Sequence, residues 1–362
     1  MDTTIGSRVR TILQEQGLTQ KELAHKVGMP ADALSRALNG VRGFGSLEIV
    51  QLADELGVEV YWLITGKEDP NRLQVAARHA YDHGTSTYSN RSASDDTGVL
   101  RDIQVAYQQA CPSEPLPASR LPADAVELRQ ALAGPDGVRR FADVVEARFE
   151  VDVVRIREVG TDYAMSIGGR AVVVLRETAN WFYENWSLAH ELGHLVDGDD
   201  CATTSANAAA ERAANRFAAE VLLPADEMKR LQDVTEATQL GSLLWDWGVS
   251  TAAVRIRAEA LGLELRPTVR GWLETPTVQF LRATAMPDRW AEIAERRREA
   301  TARRFPAFIC DAHERGITEG RLGASTLAWM LGVDEDAVEV SRPDTQRLSV
   351  QELAAAFGTS LA

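Results

Sequence analysis

Residues 187–198 read Ser187-Leu188-Ala189-His190-Glu191-Leu192-Gly193-His194-Leu195-Val196-Asp197-Gly198, and the rest of the chain is read outward from them. His190 and His194 are four residues apart, so on a helix they share one face, a turn apart. Two imidazole nitrogens placed this way can reach one tetrahedral ion at about 2.0–2.1 Å. Glu191 lies about 100° around the helix, where its carboxylate can reach a water on that ion. The ion brings the water's pKa towards neutrality. The carboxylate takes the water's proton as it attacks a carbonyl and hands it to the leaving amine. Leu188, Leu192 and Leu195 form an inward face. The spacing predicts a helix over about 181–197, ended by Gly198.

Upstream, Ala171–Leu175 is a continuous apolar run rich in β-branched residues, as a buried strand would be, and Val151–Ile156 is a second strand. Residues 136–149 predict an amphipathic helix with Val138, Phe141, Val144, Val145 and Phe149 on one face. Between the strands, GTDYAMS reads as a loop, with Tyr163 either an oxyanion donor or a packing side chain. Downstream, a helix over about 206–222 stops before Pro224.

A catalytic ion of this kind wants three protein ligands and a water. Two candidates compete for the third. Asp200 lies six residues after His194, where an extended HExxHxxGxxH/D motif would put a ligand, but that motif needs Gly where Asp197 stands. Glu211 is preferred. It opens the next helical run and can project at the metal from a helix packed on the first, with Asn215 one turn on as its supporting hydrogen-bond partner. Cys201 is a further, weaker candidate near the ion. His79 and His83 repeat the four-residue spacing without an acid placed between them, and read as a solvated helix end.

Residues 5–66 read as five short helices. Thr19 and Glu22 have capping-box spacing at the start of a helix from Gln20 to Val27, Gly28 supplies a turn, and a second helix runs from Ala31 to Leu38. That geometry suits a DNA major groove. Asp32, Ser35 and Arg36 point outward from the second helix, Arg42 follows in the loop, and Gln20 and Lys21 open the first. These six are the candidate contacts to double-stranded DNA. LTQKELAHKVGM, ALSRALNG and LEIVQLADELGVEVYWLITG resemble the Cro/repressor-type (XRE) helix-turn-helix family, except that Pro30 stands where the family carries a Ser or Thr cap.

SLAHELGHLVDGD followed by ERAANRFAAEVLLP is similar to the ImmA/IrrE family of metallopeptidases, and the similarity covers roughly residues 130–265. The resemblance implies that His190, His194 and Glu211 bind Zn²⁺ and that Glu191 is the base. It also implies a protein substrate, expected to be a transcriptional repressor. A substrate could then add to the strand at 171–175.

Composition bounds these expectations. The chain has 362 residues, a net charge of −14 and no apolar run long enough to span a membrane. Three widely spaced cysteines and the absence of a signal-like N-terminus point to a reducing, cytoplasmic setting. The bulk negative charge argues against broad non-specific binding of nucleic acid by the whole chain, and residues 1–66 themselves carry six basic and eight acidic side chains. The expected architecture is multi-domain, mainly α with a small β-sheet. It comprises an all-α helix-turn-helix domain (1–67), a linker (68–98) and an α+β zincin-like metallopeptidase domain (99–265). A helical C-terminal domain (266–362) completes it. A homodimer is expected because one helix-turn-helix reads one half-site.

Overall fold

In the computed structural model, which describes residues 4–67, 73–77, 80–82, 87–89, 93–112, 116–134, 136–198, 208–284 and 289–340, the chain divides into Met1–Arg72 and Leu73–Ala362. The first unit contains α1 (Ile5–Gln16), α2 (Gln20–Lys26), α3 (Ala31–Leu38), α4 (Ser46–Leu56) and α5 (Val60–Thr65). Val9, Leu23, Leu34, Leu52 and Leu63 meet in its core without solvent exposure. The capping box forms: Thr19 N donates to Glu22 Oε2 at 2.8 Å, and Glu22 N donates to Thr19 Oγ1 at 3.2 Å. Pro30 precedes α3 and caps it with no side-chain bond.

The second unit is built on a sheet. Its elements begin with β1 (Leu73–Ala77), β2 (Ala80–Asp82), β3 (Thr87–Ser89), α6 (Ala93–Ala110), α7 (Ala125–Ala131) and α8 (Phe141–Phe149). They continue with β4 (Asp152–Ile156), β5 (Tyr163–Ile167), β6 (Arg170–Arg176), α9 (Trp181–Asp197) and α10 (Ala208–Leu222). The sheet order is β1-β5-β6-β4, with β6 antiparallel to β5 and parallel to β4, while β2 and β3 pair separately. Successive side chains of β6 enter different cores, as the two-residue period of a strand requires. Ala171, Val173 and Leu175 pack with α8, α9 and α10, whereas Val172 and Val174 pack with α6.

After α10 come α11 (Ala225–Met228), α12 (Ala237–Trp247), α13 (Thr251–Ala260), α14 (Pro267–Leu273) and α15 (Thr277–Thr284). Then follow α16 (Arg289–Glu299), α17 (Ala307–Thr318) and α18 (Ser325–Leu331). No described helix is long and apolar enough to cross a membrane.

Several expectations change. The boundary at 265/266 separates nothing. Ile309, Ile317, Leu327 and Met330, from α17 and α18, cover the second face of the sheet, and Arg304 bridges Arg155 on the outer edge of β4. An uncovered sheet face would leave buried-type valines in water, so these helices complete the core. The segment expected as a linker supplies β1, and its polar end opens α6, where Asp96 is buried and accepts from Gly160 N and Tyr163 Oη at 2.9 and 2.6 Å. GTDYAMS is largely strand β5 and not a loop. Tyr163 is spent on Asp96, so it is no oxyanion donor. The helix predicted from 136 begins at Phe141. Strand β6 lies between β5 and β4, so it offers no edge to a substrate.

One ion pair within the sheet, bonded by a tyrosine of α6, and a second from β4 to α9 register the helices on the sheet. Arg170 donates to both Asp152 oxygens at 2.9 and 2.5 Å, and Tyr107 Oη donates to the same carboxylate at 2.8 Å. Burial pushes the Asp152 carboxyl up, and Arg170 opposes it. Arg155 donates to Glu184 in the first turn of α9, which ties that helix to β4.

Helices α9 and α10 cross at Gly193. A Cβ there would sit 2.9 Å from Ala214 Cα and 3.1 Å from Phe217 Cβ. The obstacle is backbone and cannot swing aside. Gly193→Ala is therefore expected to cost about 1–3 kcal/mol of stability and to weaken metal uptake, read by thermal unfolding and metal titration. An unchanged melting temperature with unchanged uptake would show that the crossing tolerates a methyl group.

Candidate metal centre

The close crossing brings two helices into ligand range of each other. His190 lies three residues before Gly193, and Glu211 lies three residues before Ala214. His190 Nε2 is 3.1 Å from His194 Nε2 and 3.3 Å from Glu211 Oε2, and His194 Nε2 is 3.9 Å from Glu211 Oε1. The rings stand edge to face, with centroids 4.8 Å apart. Two donors at about 2.0–2.1 Å from a tetrahedral ion are separated by about 3.3 Å. The observed separations therefore fit a single small cation. The donor set of two imidazoles and a carboxylate suits a borderline divalent ion better than a hard one.

Local sequence explains the placement. Asn180 caps α9 by accepting from Tyr183 N at 3.1 Å, and Gly198 ends it in the left-handed conformation, φ 63°. His190, Glu191, His194 and Glu211 are all buried, with Glu191 fully so. Asn215 Nδ2 donates to the backbone carbonyl of Glu211 at 2.8 Å. It thus braces the ligand's main chain, where the sequence suggested support for its side chain. Asp200, the alternative third ligand, lies outside the described residues, as do Cys201, His79 and His83.

Sequence reasoning missed the wall beside the triad. Trp186 stands one turn before His190 and Phe182 two turns before, the same spacing of four that singled out the histidines. Trp245 and Trp247 are buried in the main core.

In the first unit, Gln20, Lys21, Asp32 and Arg36 are exposed and Ser35 is half-buried. Arg42 is placed differently from its expected groove role. It donates to Glu48 Oε2 and Oε1 at 3.0 and 2.9 Å, and to the carbonyls of Ala33 and Gly43 at 3.0 and 3.1 Å. Those bonds make it a brace for the loop after α3. Glu48 holds the Arg42 guanidinium above its ordinary pKa.

Comparison with known families is consistent with both units. The family model described as an IrrE N-terminal-like domain matches residues 143–259, and the helix-turn-helix model matches residues 9–63. The chain therefore joins an XRE-type helix-turn-helix to an IrrE/ImmA-like peptidase domain. The first implies DNA binding and the second a protein substrate. No solved structure matches the chain.

Metal analysis of purified variants separates the ligand sets. Glu211→Ala and His190→Ala are each expected to lower bound metal well below one equivalent, while Asp200→Ala retains it. The reverse pattern for Glu211 and Asp200 would move the third ligand to the loop.

Proposed function

We propose that this chain, a helix-turn-helix joined to an IrrE/ImmA-like peptidase domain, is a cytoplasmic zinc endopeptidase tethered to DNA that cleaves a regulatory protein, a transcriptional repressor foremost. The carrying observation is the spacing of His190, His194 and Glu211, which matches the ligand separations of one tetrahedral ion. A divalent ion held there supplies a Lewis acid for the scissile carbonyl and acidifies a water. His190 and His194 bind through Nε2, Glu211 through its carboxylate, and Asn215 steadies the Glu211 main chain.

Glu191 carries the proton. Its carboxylate takes a proton from the attacking water as the new C–O bond forms. It returns that proton to the amide nitrogen as the C–N bond breaks, so the amine leaves neutral. Full burial serves this role, because a carboxylate away from bulk solvent keeps the proton for the leaving group. On the DNA side, Arg36, Ser35 and Asp32 face the bases, and Gln20 and Lys21 meet the phosphate backbone. Two copies reading two half-sites make a homodimer on an operator.

A second reading is favoured by the low exposure of all four site residues, at most 6%. Under it the ion is structural or sensory, and the protein is a transcription factor without proteolysis. The two separate in one assay, in which the zinc-loaded chain is incubated with repressors from its own genome. The peptidase reading expects cleavage that stops with chelator and falls about 100-fold or more in Glu191→Gln, which keeps its metal. Cleavage that survives both treatments rejects the zinc mechanism. Stoichiometric zinc without cleavage of any repressor favours the sensor.

A further inference from the structure

Beside the triad lies a groove that no step above uses. It has a volume of about 640 Å³ and is walled by Phe182 and Trp186 of α9 and by Ala253 and Ile256 of α13. Arg212 and Arg216 of α10 form its rim. Its size falls within the range of about 300–1,000 Å³ usual for ligand pockets. The groove adjoins the metal ligands on two helices: Trp186 is one turn from His190, and Arg212 follows Glu211 directly. A polypeptide reaching the triad has to seat its neighbouring residues somewhere. Strand β6 is interior and cannot take it as an added strand, and Arg304 pairs with Arg155 on the outer edge of β4.

The walls and the rim ask for different chemistry. Ile256 is 60% exposed, and Phe182 and Trp186 are only half-buried, so large apolar surfaces face the groove. Small residues, Ala253 among them, leave the room. Arg257 is already engaged by Glu220 and the Leu223 carbonyl. Arg212 and Arg216 are exposed and have no ion pair among the described residues. On a chain of net charge −14, two such arginines beside an apolar groove are a local cationic spot that selects an anionic partner.

We propose that this groove is the side-chain subsite of the peptidase, and that it seats large apolar residues of the substrate flanked by acidic ones. The apolar side chains bury against Phe182, Trp186 and Ile256, and the flanking carboxylates meet Arg212 and Arg216. The proposal rests on the peptidase reading above and names the substrate class for it.

The test measures binding apart from hydrolysis. Full-length Glu191→Gln protein loaded with zinc is titrated into three fluorescein-labelled octapeptides, followed by anisotropy. One carries a central Leu-Phe pair flanked by aspartates, the second has lysines in place of the aspartates, and the third has Ala-Ala in place of Leu-Phe. The first is expected to bind about tenfold or more tightly than the others. Adding Ile256→Asp or Ala253→Trp should abolish the advantage of Leu-Phe, and the Arg212→Glu/Arg216→Glu pair should reverse the charge preference. Ile256 is exposed, so that variant folds even if the tryptophan does not fit. Equal or absent binding of the three peptides, or a preference untouched by the groove variants, overturns the subsite. The expected pattern without cleavage by the native chain keeps the groove and rejects the peptidase; cleavage without the pattern does the opposite.

Discussion

The chemistry of this protein depends on how closely two helices can approach. A metal site that could form between α9 and α10 requires side chains on different helices to come within about 3–4 Å of each other. Gly193 makes that possible because it presents no Cβ to Ala214. With the contact set at that point, His190 and Glu211, each three residues earlier, fall opposite one another. The geometry of the candidate site is thus fixed by backbone packing, which side-chain rotamers cannot easily relax.

The sheet transmits this precision to the rest of the second unit. Arg155 binds the first turn of α9 through Glu184 and also donates to the carbonyls of Glu299 and Ala302. One guanidinium therefore joins the sheet, helix α9 and the end of α16 with the turn that follows it. Burial raises the Glu184 carboxyl's pKa, and Arg155 counters it. The C-terminal helices are part of the same body, since α17 and α18 supply the apolar cover for Val172 and Val174. A truncation at the expected boundary near 265 would strip one face of the sheet.

Much of this was legible in the sequence, for reasons that differ by element. Helix α9 was readable because its two histidines repeat at the helical period and Gly198 signals its end, whereas its N-cap Asn180 became evident only from the structure. The helices of the first unit were readable through the Thr19–Glu22 box and the inward leucines. Strand β5 was not, because Tyr163 and Ser166 punctuate an otherwise short run, and its partner Asp96 lies 67 residues away. The start of α6 was hidden by small polar residues that look like a linker until Asp96 is seen to be buried. Arg42 looked like a groove contact because charge and loop position say nothing of Glu48, six residues on, as its partner. The groove beside the triad is lined jointly by α9, α10 and α13, a tertiary arrangement that no local period encodes.

Zinc-edge X-ray absorption on the purified, zinc-loaded chain tests the central claim most directly, since it reports the donor atoms themselves. Two imidazole nitrogens and carboxylate and water oxygens at about 2.0–2.1 Å are the expected shell, with the carboxylate contribution lost in Glu211→Ala. A sulfur scatterer at about 2.3 Å, or a spectrum without imidazole, would contradict a site built from His190, His194 and Glu211.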